Sequence, residues 1–144
     1  MKNTWQIISV IFLAWAIVGS IFAANYYQIS QQQQTIIDNL ATGTIIRANL
    51  AINYGNGTVV WFNNTLIPYD YTLLNLTQKV ATVNYTISGT DVFVNSINDV
   101  QGGTGGKWWV YDVWNGTAWD IVWISCNKLV IHYNDIVMWS LKQF

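Results

Sequence analysis

Residues 5–24 read WQIISVIFLAWAIVGSIFAA, twenty positions without a charge and with only Gln6, Ser9 and Ser20 as polar interruptions. At ~1.5 Å per residue a helix of that length spans ~30 Å, the thickness of a bilayer's hydrocarbon core. A secretory signal has a shorter apolar run, roughly 7–15 residues, ending at a small-x-small cleavage site. Cleavage after Ala24 or Ala23 would instead place Phe22 or Ile21 three residues before the cut. Trp5 at one edge and Tyr26 and Tyr27 just past the other fit an aromatic belt. The stretch is therefore expected to be a retained anchor in contact with membrane lipid. Lys2 precedes it and the next charge is Asp38, so the positive-inside rule places the N-terminus in the cytoplasm and residues 25–144 outside the cell.

Beyond the anchor no Gly or Pro interrupts the chain from Ile21 to Thr42. Ile29, Ile36, Ile37 and Leu40 recur at helical spacing, and the Gln31–Gln34 run is compatible with a helix. One helix is expected to run from the membrane to about Ala41, with Gly43 as its stop. Its upper part would serve as a stalk, and the four apolar residues as a seam for a partner helix. A flexible polar linker is the alternative.

The remaining 100 or so residues suffice for one modest core. Only 9% of the chain is charged, the net charge is −1, and all seven acidic residues are Asp, which argues against a nucleic-acid partner. Cys126 is the only cysteine, so no internal disulfide can form. With so few ionisable groups, folding stability is expected to vary little across acidic pH.

From Thr44 the period shortens to two. TIIRANLAINY (44–54), an Asn56-Gly57 turn and VVWF (59–62) read as a hairpin, which Pro68 ends. DYTLLNLTQKV (70–80) is the domain's one helical candidate, capped by Asp70 or Thr72 and apolar at Leu73, Leu74, Leu76 and Thr77. Two strand-like runs follow around Gly89, then the Gly-rich loop 99–106, which lacks the Ser/Thr of a phosphate-binding loop and reads as a flexible surface loop. KWWVYDVW and AWDIVWIS flank an Asn115-Gly116 turn, and LVIHY (129–133) and IVMWSL (136–141) are read as closing strands.

Several signatures in this order, INYGNGTVVWFNN, YTLLNLTQKV, VFVNSINDV, WWVYDVWNG and LVIHYNDIVMW, resemble the transcobalamin-like C-terminal domain family over about residues 45–142. The resemblance implies a β-grasp-like fold, and the anchor-stalk-domain layout is similar to archaeal surface proteins. The expected fold class is thus α+β: a long N-terminal transmembrane and stalk helix, then a small, mainly antiparallel β domain with one helix. The expected organisation is a cytoplasmic tip (1–4), a transmembrane helix (5–25), a helical stalk (26–43) and an extracellular β-rich domain (44–144).

Five N-x-[ST] sequons occur, at Asn56, Asn63, Asn75, Asn84 and Asn115, and make N-linked glycans the expected modification. Seven tryptophans lie outside the anchor. Most are expected in the core, but Trp108, Trp114, Trp119 and Trp123 are candidates for a binding surface, with Trp109 opposing Trp108 and Trp114, and Trp119 sharing a face with Trp123. His132 and Cys126 have no zinc-like spacing, and the sequence indicates no catalytic, metal or cofactor-binding residue. The expected role is a non-catalytic, glycosylated surface protein acting by association, as an accessory subunit or envelope component beside other membrane subunits or copies of itself. A filament subunit with a helical core and an extracellular ligand- or glycan-binding adhesion module are the alternatives.

Overall fold

The structure, a computed structural model, describes residues 2–143, which divide into two compact units at the junction of Thr42 and Gly43. The first is one helix, α1 (Lys2–Ala41), of 40 residues. It is long and apolar enough to cross a membrane. Two of its polar interruptions are satisfied within the helix. The Ser9 hydroxyl donates to Trp5 O at 2.9 Å and that of Ser20 to Ala16 O at 2.8 Å. The helix stops at Thr42 and Gly43, where Gly43 takes a φ of +71° that favours glycine.

The second unit begins with the hairpin β1 (Ile45–Asn53) and β2 (Val59–Pro68). β2 is longer than expected and carries its pairing through Pro68, which an edge strand tolerates. A register shift opposite Ala48–Leu50 bulges β2, and Asn64 there takes φ +53° while its N–H donates to Asn49 Oδ1. Gly55, in the turn, has φ +69°, and a Cβ built there would lie 2.5 Å from Leu141 O. Gly55→Ala is therefore expected to cost about 2–3 kcal/mol, from the left-handed backbone and a clash with fixed main chain. Thermal unfolding of the detergent-solubilised chain should show a Tm lower by roughly 10 °C or more.

Helix α2 (Leu73–Val80) starts as a capping box: Thr72 is the N-cap, and Asn75 returns its carboxamide oxygen to the Thr72 N–H. Leu73, Leu74, Leu76 and Thr77 form its buried face, as their spacing predicts. The hairpin β3 (Val83–Ser88) and β4 (Asp91–Ile97) follows, then β5 (Val100–Gln101), reached through Asn98 and Asp99 at φ +48° and +63°. The Gly-rich stretch is more ordered than a flexible loop. Its start pairs as β5, Gly102 N donates to Asn95 O, and Thr104–Gly106 make a 3₁₀ turn. β6 (Lys107–Trp114), β7 (Trp119–Ile121) and β8 (Ile136–Gln143) complete the unit.

A five-stranded sheet has the order β2-β1-β8-β6-β7, and a second sheet the order β3-β4-β5. β1 and β8 are parallel and central, and every other pair is antiparallel. The parallel pair with α2 following the first hairpin is a β-grasp-like arrangement. The domain is α+β, as expected. Its core lies between α2 and one face of the large sheet, around Leu50, Ile52, Leu73, Leu76, Val137 and Trp139.

The expected strand at LVIHY does not form; it contributes one isolated bridge, Val130 to Thr72. The reason is the N-terminus of α2, whose first N–H groups lack helical partners. Leu129 O accepts from Leu73 N at 2.8 Å and Cys126 O from Leu74 N at 3.0 Å. The Leu129 bond, with Ile131 N donating to Tyr71 O at 2.9 Å, is that bridge itself, and it extends no further because the chain it pairs with turns into α2 at Leu73.

Candidate functional site

The large sheet leaves a cleft along its β6 edge. β7 pairs only with Asp112–Trp114, so the Trp109–Tyr111 part of β6 runs on without a neighbour on that side. Across from it lies β4, whose Asp91–Val94 segment is likewise beyond the reach of β5, which pairs only with Ser96 and Ile97. These two edges belong to different sheets and do not pair with each other. The cleft between them has a volume of about 260 Å³. Phe93, Ile121, Trp123 and Ile124 line its mouth, and Phe93 is 59% and Trp123 80% exposed. Its floor is Trp109, Tyr111, Cys126 and Trp139, all buried.

Polar groups fix the shape of this cleft. The Ser125 hydroxyl receives the Val92 N–H at 2.8 Å and reaches Val92 O at 3.2 Å, which shows that this edge of β4 faces the cleft. Val94, two residues on, presents its backbone the same way. The Tyr111 hydroxyl donates to Ile124 O and ties the segment after β7 to β6 through a side chain. Lys128 pairs with Asp91 at 2.6 Å at the rim.

Burial pushes the Tyr111 hydroxyl from 10.0 up to about 12, with the nearby Cys126 adding to the rise. Burial likewise pushes the Cys126 thiol from 9.0 up to about 11, against two backbone hydrogen bonds that lower it. At neutral pH the thiol is protonated and a poor nucleophile. Both folded values lie above the unfolded ones, so the stability they contribute is fully present below pH 9. It should fall as pH rises through about 11 and 12. Denaturant unfolding across pH 7–12 should show this alkaline decline, and Cys126→Ala should remove its earlier part.

The four candidate tryptophans do not form one surface. Alternation on β6 is as expected, with Trp109 buried and Trp108 and Trp114 on the opposite face. Trp114 and Trp119 meet edge to face at 5.4 Å. Trp61, from the far edge of the sheet, joins them with Asn49, Asn63 and Ile136 around a shallow basin. Trp108, on the same face, lies outside it. Trp123 does not share Trp119's face, because β7 ends at Ile121 and Trp123 turns into the β4–β6 cleft. The expectation that tryptophan mostly builds the core does not hold: of the seven, Trp109 and Trp139 are buried, Trp114 is half-buried, and Trp61, Trp108, Trp119 and Trp123 are exposed. Along α1, Ile29, Ile36 and Ile37 are exposed and Leu40 is half-exposed.

All five sequon asparagines are exposed. Thr77 of the third sequon is wholly buried, donating to Leu73 O and accepting from Trp139 Nε1, so that sequon is presentable only before folding. His132 is exposed beside Asp135, far in chemistry from the buried Cys126. Among the described residues, no group of three His, Cys, Asp or Glu comes together to hold a metal ion.

The chain matches no family model and no curated protein. Solved structures do match. A crystal structure described as a candidate metal-binding protein from Ruminococcus gnavus aligns with a TM-score of 0.52 at 14% identity, over 69% of this chain and 98% of that one. Haptocorrin in complex with Cbi aligns with a TM-score of 0.57 at 11% identity, over 71% of this chain and 26% of that one. The likeness is one of fold. It supports the transcobalamin-like resemblance at that level, and this chain spans about a quarter of haptocorrin's length. The residues missed by reading the sequence are Phe93, Ile121 and Ile124. Each sits in a strand-like or apolar run, and nothing local marks it as left uncovered.

Proposed function

We propose that this chain is a non-catalytic, single-pass surface protein whose exterior domain works by association. α1 anchors it with the N-terminus in the cytoplasm. Residues 44–144, carrying N-linked glycans, stand outside, in an archaeal-type cell envelope. The observation that carries the reading is the cleft between the unpaired edges of β4 and β6. The apolar lining suits a short extended segment of a partner protein with an apolar side chain seated on Tyr111 and Cys126, and because Ser125 already holds the Val92 backbone, Val94 is the position on β4 left to pair with it. The mouth offers Phe93, Ile121 and Ile124, and so selects an uncharged segment. The stripe Ile29, Ile36, Ile37 and Leu40 supplies a second contact, to a membrane helix of the same assembly.

Neither neighbour's ligand is carried over; among the described residues no group of three His, Cys, Asp or Glu comes together to hold a metal. The buried, protonated Cys126 has no histidine beside it, which supports a binding role over nucleophilic catalysis. The test is a photocrosslinking residue at position 93 in cells, followed by mild-detergent extraction. A crosslinked product with a different membrane protein is the expected result. Products with copies of the same chain would favour a filament, and no product at all would overturn the reading.

A further inference from the structure

The basin on the other side of the large sheet has an occupant built into the chain. We infer that the N-glycan of Asn63 folds back onto the tryptophans of Trp61, Trp114 and Trp119 and covers this face of the sheet. The inference rests on the reading of residues 44–144 as an exterior, glycosylated domain.

Three observations converge. First, Asn63 is not merely near the basin; with Asn49, Trp61, Trp114, Trp119 and Ile136 it lines the roughly 390 Å³ depression itself. Second, β2 bulges where Asn64 takes its left-handed backbone. That bulge sets Asn63 at the rim of an edge strand, exposed, with Thr65 half-exposed two residues on and its hydroxyl donating to Phe62 O at 3.3 Å. A bulge of this kind re-aims a side chain, here the attachment nitrogen. Third, the lining is of the type sugars bind. Trp61 is 46% exposed and Trp119 37% exposed. Asn49 adds a carboxamide whose oxygen is taken by the Asn64 N–H, leaving its NH₂ as a donor. Indole faces take the C–H faces of sugar rings, while the amide takes a hydroxyl.

Geometry allows it. From β2 to β6 is three strand spacings, about 14 Å, within reach of the first sugars of a chain attached at Asn63. No charged side chain lines the basin, which suits a neutral sugar. The other sequons lack such a seat: Asn56, Asn84 and Asn115 lie outside the basin lining, with the Asn115 carboxamide held in its turn by Asp120 Oδ2 and the Thr117 and Ala118 N–H groups, and Asn75 is part of a helix cap. A glycan held here would hide apolar surface that an almost uncharged domain otherwise leaves to water.

The full-length protein, extracted from the membranes of the cells that make it, tests this by two readouts. Site-resolved mass spectrometry of glycopeptides reports occupancy. Hydroxyl-radical footprinting reports the access of each tryptophan, with Trp108, exposed and outside the basin, as the internal standard. We expect Asn63 to be occupied. Oxidation of Trp61 and Trp119 should rise several-fold in Thr65→Val, which abolishes the sequon nearly isosterically, and in Asn63→Gln, with Trp108 unchanged. An empty Asn63 beside occupied sequons elsewhere overturns this inference while the exterior reading stands. Bare polypeptide at every sequon overturns both. An occupied Asn63 with unchanged Trp61 and Trp119 oxidation in both variants also overturns it, and leaves the basin to a free oligosaccharide or a partner.

Discussion

Replacing Trp139 by alanine is expected to destabilise the β-rich domain by about 3–5 kcal/mol, a large part of the roughly 5–15 kcal/mol that holds a domain of this size together. Trp139 is 2% exposed at the centre of the large sheet, on β8 beside its parallel neighbour β1. Its indole Nε1 donates to Thr77 Oγ1 at 2.8 Å, and Thr77 passes the bond on to Leu73 O at 2.7 Å. Its ring meets Tyr111 edge to face at 5.2 Å. One side chain therefore ties α2 to two strands of the sheet. Alanine would lose the transfer energy of the indole, leave a cavity, and break the buried hydrogen bond to Thr77 Oγ1. Thr77→Val isolates the last effect. It keeps the volume, leaves the indole N–H without an acceptor, and should cost about 1–3 kcal/mol. The two changes should couple strongly in a double-mutant cycle, because they share one bond. Far-UV circular dichroism during denaturant unfolding is the measurement. A Trp139→Ala protein that unfolds within 1 kcal/mol of the wild type, on the order of a surface change, would show that the indole is not a keystone.

The parts of this molecule that the sequence announces are those set by local chemistry. Twenty uncharged residues followed by the stripe from Ile29 to Leu40 foretell one long helix, and 40 residues of helix are found. The Thr72 cap, the buried Leu73, Leu74, Leu76 and Thr77, and the turns at Gly55–Gly57 and Asn115–Gly116 follow from spacing and backbone preference. What spacing does not convey is which strand edges remain without partners. LVIHY alternates as a strand would, yet the chain it bridges at Thr72 turns into α2, whose first N–H groups take Leu129 O and Cys126 O. Trp123 continues the alternation of β7 on paper, yet β7 ends at Ile121, and Tyr111 and Ser125 shape the segment beyond. Both errors have one cause. A side-chain hydroxyl or an orphan helix N–H far along the chain competes for the backbone group that period-two reasoning assigns to a ladder. The candidate cleft arises from that competition, and so only the fold reveals it.

A charge placed in the cleft should separate its role from that of the core beneath. Phe93→Asp changes a residue that is 59% exposed, so the folded state should lose little, within about 0.5–1 kcal/mol. Binding is another matter. A partner segment lying between β4 and β6 would bury the new carboxylate against Ile121, Ile124 and Tyr111, with no cation among the cleft residues to receive it. Lys128, the nearest by contact to this edge, is already paired with Asp91 and bonded to Thr90. Desolvating an unpaired charge costs several kcal/mol, and about 2.7 kcal/mol already weakens binding a hundredfold. The partner recovered with the wild-type chain in mild detergent should therefore be absent with Phe93→Asp and retained with Phe93→Leu. Trp108→Asp, on the opposite face of the sheet, should leave it in place. Were Phe93→Asp to keep its partner while Trp108→Asp lost it, the working surface would be the open sheet face, and the edges of β4 and β6 would be a structural gap alone. The comparison discriminates because both substitutions add the same charge to an exposed aromatic position, and only the location of the apolar contact differs.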